Sequence, residues 1–204
     1  MEIRPISKTW DYLKKDTWDS WLVSLVLIII VIRFLIFPAL SIATQTPLPI
    51  VVVESCSMYH SQGLDKWWEE NSFWYDENDV TKSEFSDFSL KNGLNKGDIV
   101  FVWGRGSYEK GDIIIFEANT RNPIIHRIME EDPISTKGDN NPSQIAFEQN
   151  IDENKIIGKA VGKIPLIGWI KLIFFEFSKE NSKKVLKCPQ RPTANLKNTI
   201  NLSN

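Results

Sequence analysis

Apolar and polar positions along this chain fall into three regimes. From Trp21 to Ala43 the residues read "WLVSLVLIIIVIRFLIFPALSIA", apolar on every side of a helix and carrying Arg33 as their single charge. A run of about twenty such residues matches the hydrocarbon thickness of a bilayer, so a membrane-spanning helix is predicted, with Arg33 near enough to one end to snorkel toward headgroups. Small residues at Ser41-Ile42-Ala43 would also suit a processed leader, but the apolar stretch exceeds the usual leader core and favours an uncleaved anchor. Arg4, Lys8, Lys14 and Lys15 precede the span, and the next basic residue after it is Lys66. That asymmetry keeps the N-terminus (1–20) cytoplasmic and sends the rest across.

Beyond the anchor (21–43) the period shortens to that of strands. "IVVVE" after Pro47 and Pro49 has β-branched density, and "NKGDIVFV", "EKGDIIIF", "NPIIHRIME" and "NKIIGKAVGKIP" each place a turn signal before a strand-like run. Gly97 and Gly111 suit the tight turn positions. The Lys-Gly-Asp at 137–139 differs, because Asn140, Asn141 and Pro142 follow and no strand begins there. A mainly β, antiparallel extracytoplasmic domain is predicted over 44–163.

Two stretches break that pattern. Residues 59–92 hold eight acidic and eight aromatic residues against three lysines, a content of rings that argues for an ordered insertion rather than simple disorder. The segment "IPLIGWIKLIFFEF", 164–177, is short for a span and interrupted by Lys171 and Glu176, so it reads as an amphipathic or membrane-associated helix. A polar tail, 178–204, follows.

Charge and cysteine content narrow the function. With a net charge of -2 the chain lacks the basic excess that holds proteins on nucleic acid. Cys56 and Cys188 are two cysteines far apart in sequence, and a disulfide framework is not expected of them.

Candidate chemistry centres on "ESCSM", residues 54–58, directly after the first strand. A serine hydroxyl needs a neutral imidazole to take its proton and a carboxylate to fix the tautomer of that imidazole. The chain offers two histidines. His60 would need a sharp reversal to face Ser57, whereas His126 sits in the strand-like "IIHRI" and is the better base. Ser57, His126 and Asp139 could supply the set.

At this point the sequence resembles a family, the type I signal peptidases of the Ser-His branch found in archaea and the endoplasmic reticulum. "SCSM" is similar to its Ser-Gly-Ser-Met box, "KGDIV" to its first Gly-Asp strand, "GDIIIFEANTRNPIIHRI" to its histidine box and "TKGDNN" to its acidic box, all in family order over roughly residues 20–170. The resemblance implies Ser57 as nucleophile, His126 as base, Asp139 as the orienting acid, and an oxyanion hole from the Ser55 hydroxyl with the Ser57 N–H. Cys56 stands where the family has glycine, and Ile145 where a second aspartate often lies. Glu148 and Asp152 are therefore alternative acids.

The expected function is that of a membrane-bound serine endopeptidase removing signal peptides from exported preproteins at the outer face of the cytoplasmic membrane. No metal or organic cofactor is required. Expected partners are signal-peptide-bearing preproteins, the lipid bilayer and the protein-translocation machinery, and the first strand could accept substrate by strand addition. Rival expectations are a membrane-tethered serine hydrolase of other specificity and a noncatalytic envelope docking protein.

Overall fold

The structure, a computed structural model, describes residues 11–118, 120–165 and Cys188. Nearly all of the segment 164–177 and of the tail 178–204 lies outside the described residues. The chain divides into two compact units, Met1–Pro49 and Ile50–Asn204, each of which is described by itself.

In the first unit a helix runs from Trp18 to Thr44, 27 residues that could cross a membrane by length and composition. At the usual rise this is about 40 Å, enough for the hydrocarbon core and part of both interfaces. It comprises α1 (Trp18–Val31), a π-helical turn (Ile32–Ile36) containing Arg33, and α2 (Phe37–Thr44), with Pro38 in the first turn of α2. Gln45 ends it in the left-handed conformation, and Thr46 O accepts a hydrogen bond from the Ser41 hydroxyl.

The second unit is built on β1 (Ile50–Val52), β2 (Ile99–Trp103), β3 (Ile113–Phe116), β4 (Ile124–Glu131), β5 (Ile134–Lys137) and β6 (Ile156–Ile164). They form one six-stranded sheet in the order β1-β2-β6-β3-β4-β5, and every pairing is antiparallel. The mainly β fold expected from the turn-and-strand pattern is what forms. Gly97 and Gly111 take φ of +88° and +93°, the region that the turns before β2 and β3 demand and that glycine enters without a steric penalty. β5 ends at Lys137, so the third Lys-Gly-Asp leaves a strand instead of entering one.

Successive side chains of β3 feed opposite faces. Ile113 and Ile115 join Val53, Met58, Leu94, Val100 and Val102 in one core, and Ile114 and Phe116 join Ile128, Ile134 and Ile151 in another. Both faces of this strand are covered, which is why it reads as an unbroken run of isoleucines. β1 and β5 are the two edges of the sheet.

Within residues 59–92 two helices form, α3 (Leu64–Glu77) and α4 (Lys82–Asp87). Thr81 caps α4, its hydroxyl accepting from Glu84 N at 3.2 Å, and satisfies a donor the first turn leaves open. Trp67, Trp68, Tyr75, Val80 and Phe85 bury together with Met129 of β4. The spacing of Trp67, Asn71 and Tyr75 puts all three on the buried side of α3, while Asp65, Glu69, Asp76 and Glu77 stay on the exposed side.

Cys56 and Cys188 form a disulfide, with their Cα atoms 5.5 Å apart. This overturns the expectation that they are not linked. Their 132-residue separation carries no trace of the pairing, because closure depends on where the fold returns the chain and not on local spacing.

Candidate active site

The nucleophile box leaves the end of β1 as a tight turn. Tyr59 N donates to Cys56 O at 3.2 Å, which bends residues 56–59 back on themselves and leaves Ser55 exposed and Ser57 half-buried. The Ser55 and Ser57 hydroxyls lie 3.0 Å apart. The Ser57 amide N–H has no hydrogen-bond partner among the described residues, so it is available as a donor beside the Ser55 hydroxyl.

A second turn, Gly138–Asn141, packs against the first. Asn140 N donates to Ser57 O at 2.6 Å, Asn140 Nδ2 donates to Cys56 O at 3.1 Å, and Asp139 N lies 3.4 Å from Met58 Sδ. Met58 itself is fully buried and accepts Leu94 N at its carbonyl, so the nucleophile turn is fixed on both flanks.

His126, from β4, lies against that second turn. A Cβ at Gly138 would come within 2.8 Å of His126 Nε2, so glycine there lets the imidazole rest against bare backbone. Glu148 Oε1 lies in close contact with His126 Nδ1, both side chains being buried, but the pair does not have hydrogen-bond geometry. The same carboxylate is satisfied elsewhere: Gly138 N donates to Oε1 at 3.2 Å and Ile145 N to Oε2 at 2.8 Å. A short 3-10 turn, Ala146–Glu148, folds the glutamate back over Ile145, the position at which the family resemblance would place an aspartate.

Asp139, expected at the imidazole, is engaged differently. Arg127 Nε and Nη2 grip its two oxygens at 2.9 and 2.8 Å, and His60 Nε2 lies 2.9 Å from Oδ2. The remaining Arg127 donors reach Ser89 O at 2.6 Å, Gly111 O at 2.8 Å and Leu90 O at 3.4 Å, and its guanidinium sits 4.9 Å from the Phe85 ring centroid. A fully buried arginine is tolerable only with its donors met in this way. Burial pushes the Asp139 carboxyl up, but the Arg127 charge and the His60 hydrogen bond more than offset it and hold it well below the ordinary carboxylate value. Burial is also the largest influence on His60 and lowers it, with Asp139 pulling the other way, so its ring is neutral near pH 7.

Asp152, the other alternative acid, is exposed and caps its own turn through Asn154 N at 2.9 Å. Thus Ser55 and Ser57 meet at their hydroxyls, His126 meets Glu148, and the two groups share the Gly138–Asn141 turn. Asp139 and Asp152 have other partners. The Ser57 hydroxyl is bonded to Ser55 rather than to the imidazole, a looseness common before substrate arrives. No spacing in the sequence marks His60 and Arg127 as partners of Asp139. Among the described residues no group of three or more metal-ligating side chains occurs.

No protein-family model matches the chain. Among curated proteins, it is 28% identical over 159 residues to the "Signal peptidase complex catalytic subunit SEC11" of Colletotrichum graminicola, covering 71% of this chain and 74% of that protein. It is 29% identical over 158 residues to the protein of the same name from Pyricularia oryzae, covering 70% and 73%. Over a shorter stretch of 102 residues it is 33% identical to the Candida albicans protein, covering 43% of this chain and 61% of that one. These relatives are fungal, so they support the Ser-His resemblance without lending weight to its archaeal side. The ordered boxes, the antiparallel sheet and these relatives together make the chain similar to the Ser-His signal peptidases, the relatives themselves being named as catalytic subunits.

Proposed function

We propose that this chain removes signal peptides from preproteins with Ser57 as nucleophile, His126 as general base and Glu148 as the carboxylate that orients the imidazole. The observation that carries this reading is the convergence of the Ser55–Ser57 pair and the His126–Glu148 pair on one turn, Gly138–Asn141. A carboxylate beside Nδ1 favours a proton on that nitrogen once the two groups align, which leaves Nε2 to accept one. Ser57 Oγ attacks the scissile carbonyl carbon while its proton passes to His126 Nε2. The resulting oxyanion is met by the Ser57 N–H and the Ser55 hydroxyl, donors already in place before charge develops. Collapse expels the new amino terminus, which takes the proton from Nε2, and water then hydrolyses the Ser57 ester by the same relay.

Substrate recognition follows from the sheet. β1 pairs with β2 on one side and is an edge on the other, so an extended signal-peptide end could add beside it and lead its scissile bond to Ser57. The resemblance adds a preference for small residues at the first and third positions before the cut.

The apolar helix tethers this activity to a membrane, with the N-terminus on the cytoplasmic side and the enzyme domain across it. A Cys56–Cys188 disulfide supports that placement, because such bonds persist outside the reducing cytosol. The cytoplasmic membrane is the site carried over from the sequence. The relatives are named as subunits of a complex, so partner subunits replace the translocation machinery as the nearest expected associates.

Cleavage of a labelled preprotein by the purified chain in detergent tests the proposal. Wild type should release the signal peptide at one site and Ser57→Ala should not. Undiminished cleavage by folded Ser57→Ala would overturn it.

A further inference from the structure

We propose that His60 is a positioning residue for the Ser57 nucleophile, and that the 59–92 insertion sets the geometry of the catalytic turn through it. The proposal rests on the peptidase reading above and concerns a residue to which that reading gives no part.

His60 lies three residues after Ser57 and closes a ring of covalent and hydrogen bonds around it. From Ser57 the chain passes through Met58 and Tyr59 to His60, whose Nε2 meets Asp139 Oδ2 at 2.9 Å. Asp139 leads to Asn140, whose backbone N–H returns to Ser57 O at 2.6 Å. Within this ring the peptide plane that follows Ser57 cannot swing without breaking a buried contact. That plane and its predecessor decide where the Ser57 N–H and hydroxyl point, which are the two groups the chemistry needs.

The His60 ring is itself held from both sides. It stacks on Trp67 with centroids 3.9 Å apart and planes 6° from parallel. On another side lies Gly93, where a Cβ would fall 2.5 Å from His60 Cδ2. Trp67 is completely buried among Trp68, Tyr75 and Phe85, rings drawn from α3 and α4. The insertion's aromatic core therefore presses the imidazole onto Asp139.

Only one ring nitrogen is used. His60 Nε2 faces Asp139, and His60 Nδ1 is buried without a hydrogen-bond partner among the described residues. A neutral ring with its proton on Nε2 donates to Asp139 and leaves Nδ1 an acceptor without a partner among the described residues, so what the site uses of residue 60 is one donor at the reach of Nε2.

Two amide substitutions separate reach from polarity. Glutamine can place its amide nitrogen near the position of Nε2, and asparagine is too short. Cleavage of a labelled preprotein in detergent is measured for wild type, His60→Gln, His60→Asn and Ser57→Ala, with thermal melting of each. For His60→Asn we expect kcat to fall about 10- to 100-fold with KM within about twofold, the penalty of a displaced reacting group. His60→Gln should recover kcat to within about threefold of wild type. If His60→Asn does not fold, His60→Phe takes its place, keeping a ring on Trp67 without a donor. Equal kcat in the glutamine and asparagine variants, whether both normal or both reduced, overturns the positioning role while active wild type and inactive Ser57→Ala leave the peptidase reading intact. Inactive wild type removes both.

Discussion

Two buried histidine–carboxylate pairs meet at the turn 138–141, one through Asp139 within it and one against Gly138, and they differ in what else each partner touches. Glu148 meets His126 and two backbone amides, and among the described residues no Lys or Arg pairs with it, so its charge is directed at the imidazole. Asp139 meets His60 but is also gripped by both ends of a fully buried Arg127, whose charge neutralises it. A carboxylate already paired to a guanidinium has little electrostatic effect left for an imidazolium. On the proposed reading, chemically similar pairs do different work: His126–Glu148 moves a proton and His60–Asp139–Arg127 holds a backbone. On that reading the choice of catalytic acid rests on the charge environment of the carboxylate as much as on its distance.

The largest expected effect comes from breaking the first pair. Glu148→Gln keeps the size of the side chain but removes the charge, and kcat should drop roughly 10³- to 10⁴-fold with the fold retained. Breaking the second pair should show first in stability. Asp139→Asn strands a buried guanidinium and should cost about 3–5 kcal/mol, read as an earlier unfolding transition in denaturant or heat. Trp67→Ala removes the ring on which His60 stacks and should cost a similar amount, about 3–5 kcal/mol.

A smaller effect separates the pairs by pH. Burial keeps His60 below its ordinary value of 6.5, so on acidification the unfolded chain takes up that proton before the folded one does. Its contribution to stability is complete above that value and declines as pH falls below it. Asp139, held below 3.8, loses its own contribution only at still lower pH, as its folded-state value is passed. Between pH 7 and pH 5 the melting temperature of wild type should therefore fall more than that of His60→Gln, which has no imidazole to titrate. Equal slopes for the two proteins would show that His60 does not contribute.

Much of this architecture was legible in the sequence. The Lys-Gly-Asp turns announced β2 and β3 because glycine with positive φ before a β-branched run has few other uses. Ser55, Ser57 and His126 could be chosen because two histidines and one serine-rich strand end leave a short search. Glu148 was an alternative rather than the first choice, since its approach to His126 depends on a 3-10 turn that no spacing rule shows. The disulfide and the partnership of Asp139 with Arg127 and His60 are long-range closures and leave no local pattern. The insertion carries a further signal: Trp67, Asn71 and Tyr75 recur at helical spacing, and they mark the buried side of α3.

The most direct test of the account is kcat for cleavage of a labelled preprotein by folded Glu148→Gln, measured beside Asp152→Asn. The account predicts a loss of roughly 10³-fold or more for the first and a value close to wild type for the second. Glu148→Gln within about threefold of wild type would contradict the assignment of Glu148 to the relay.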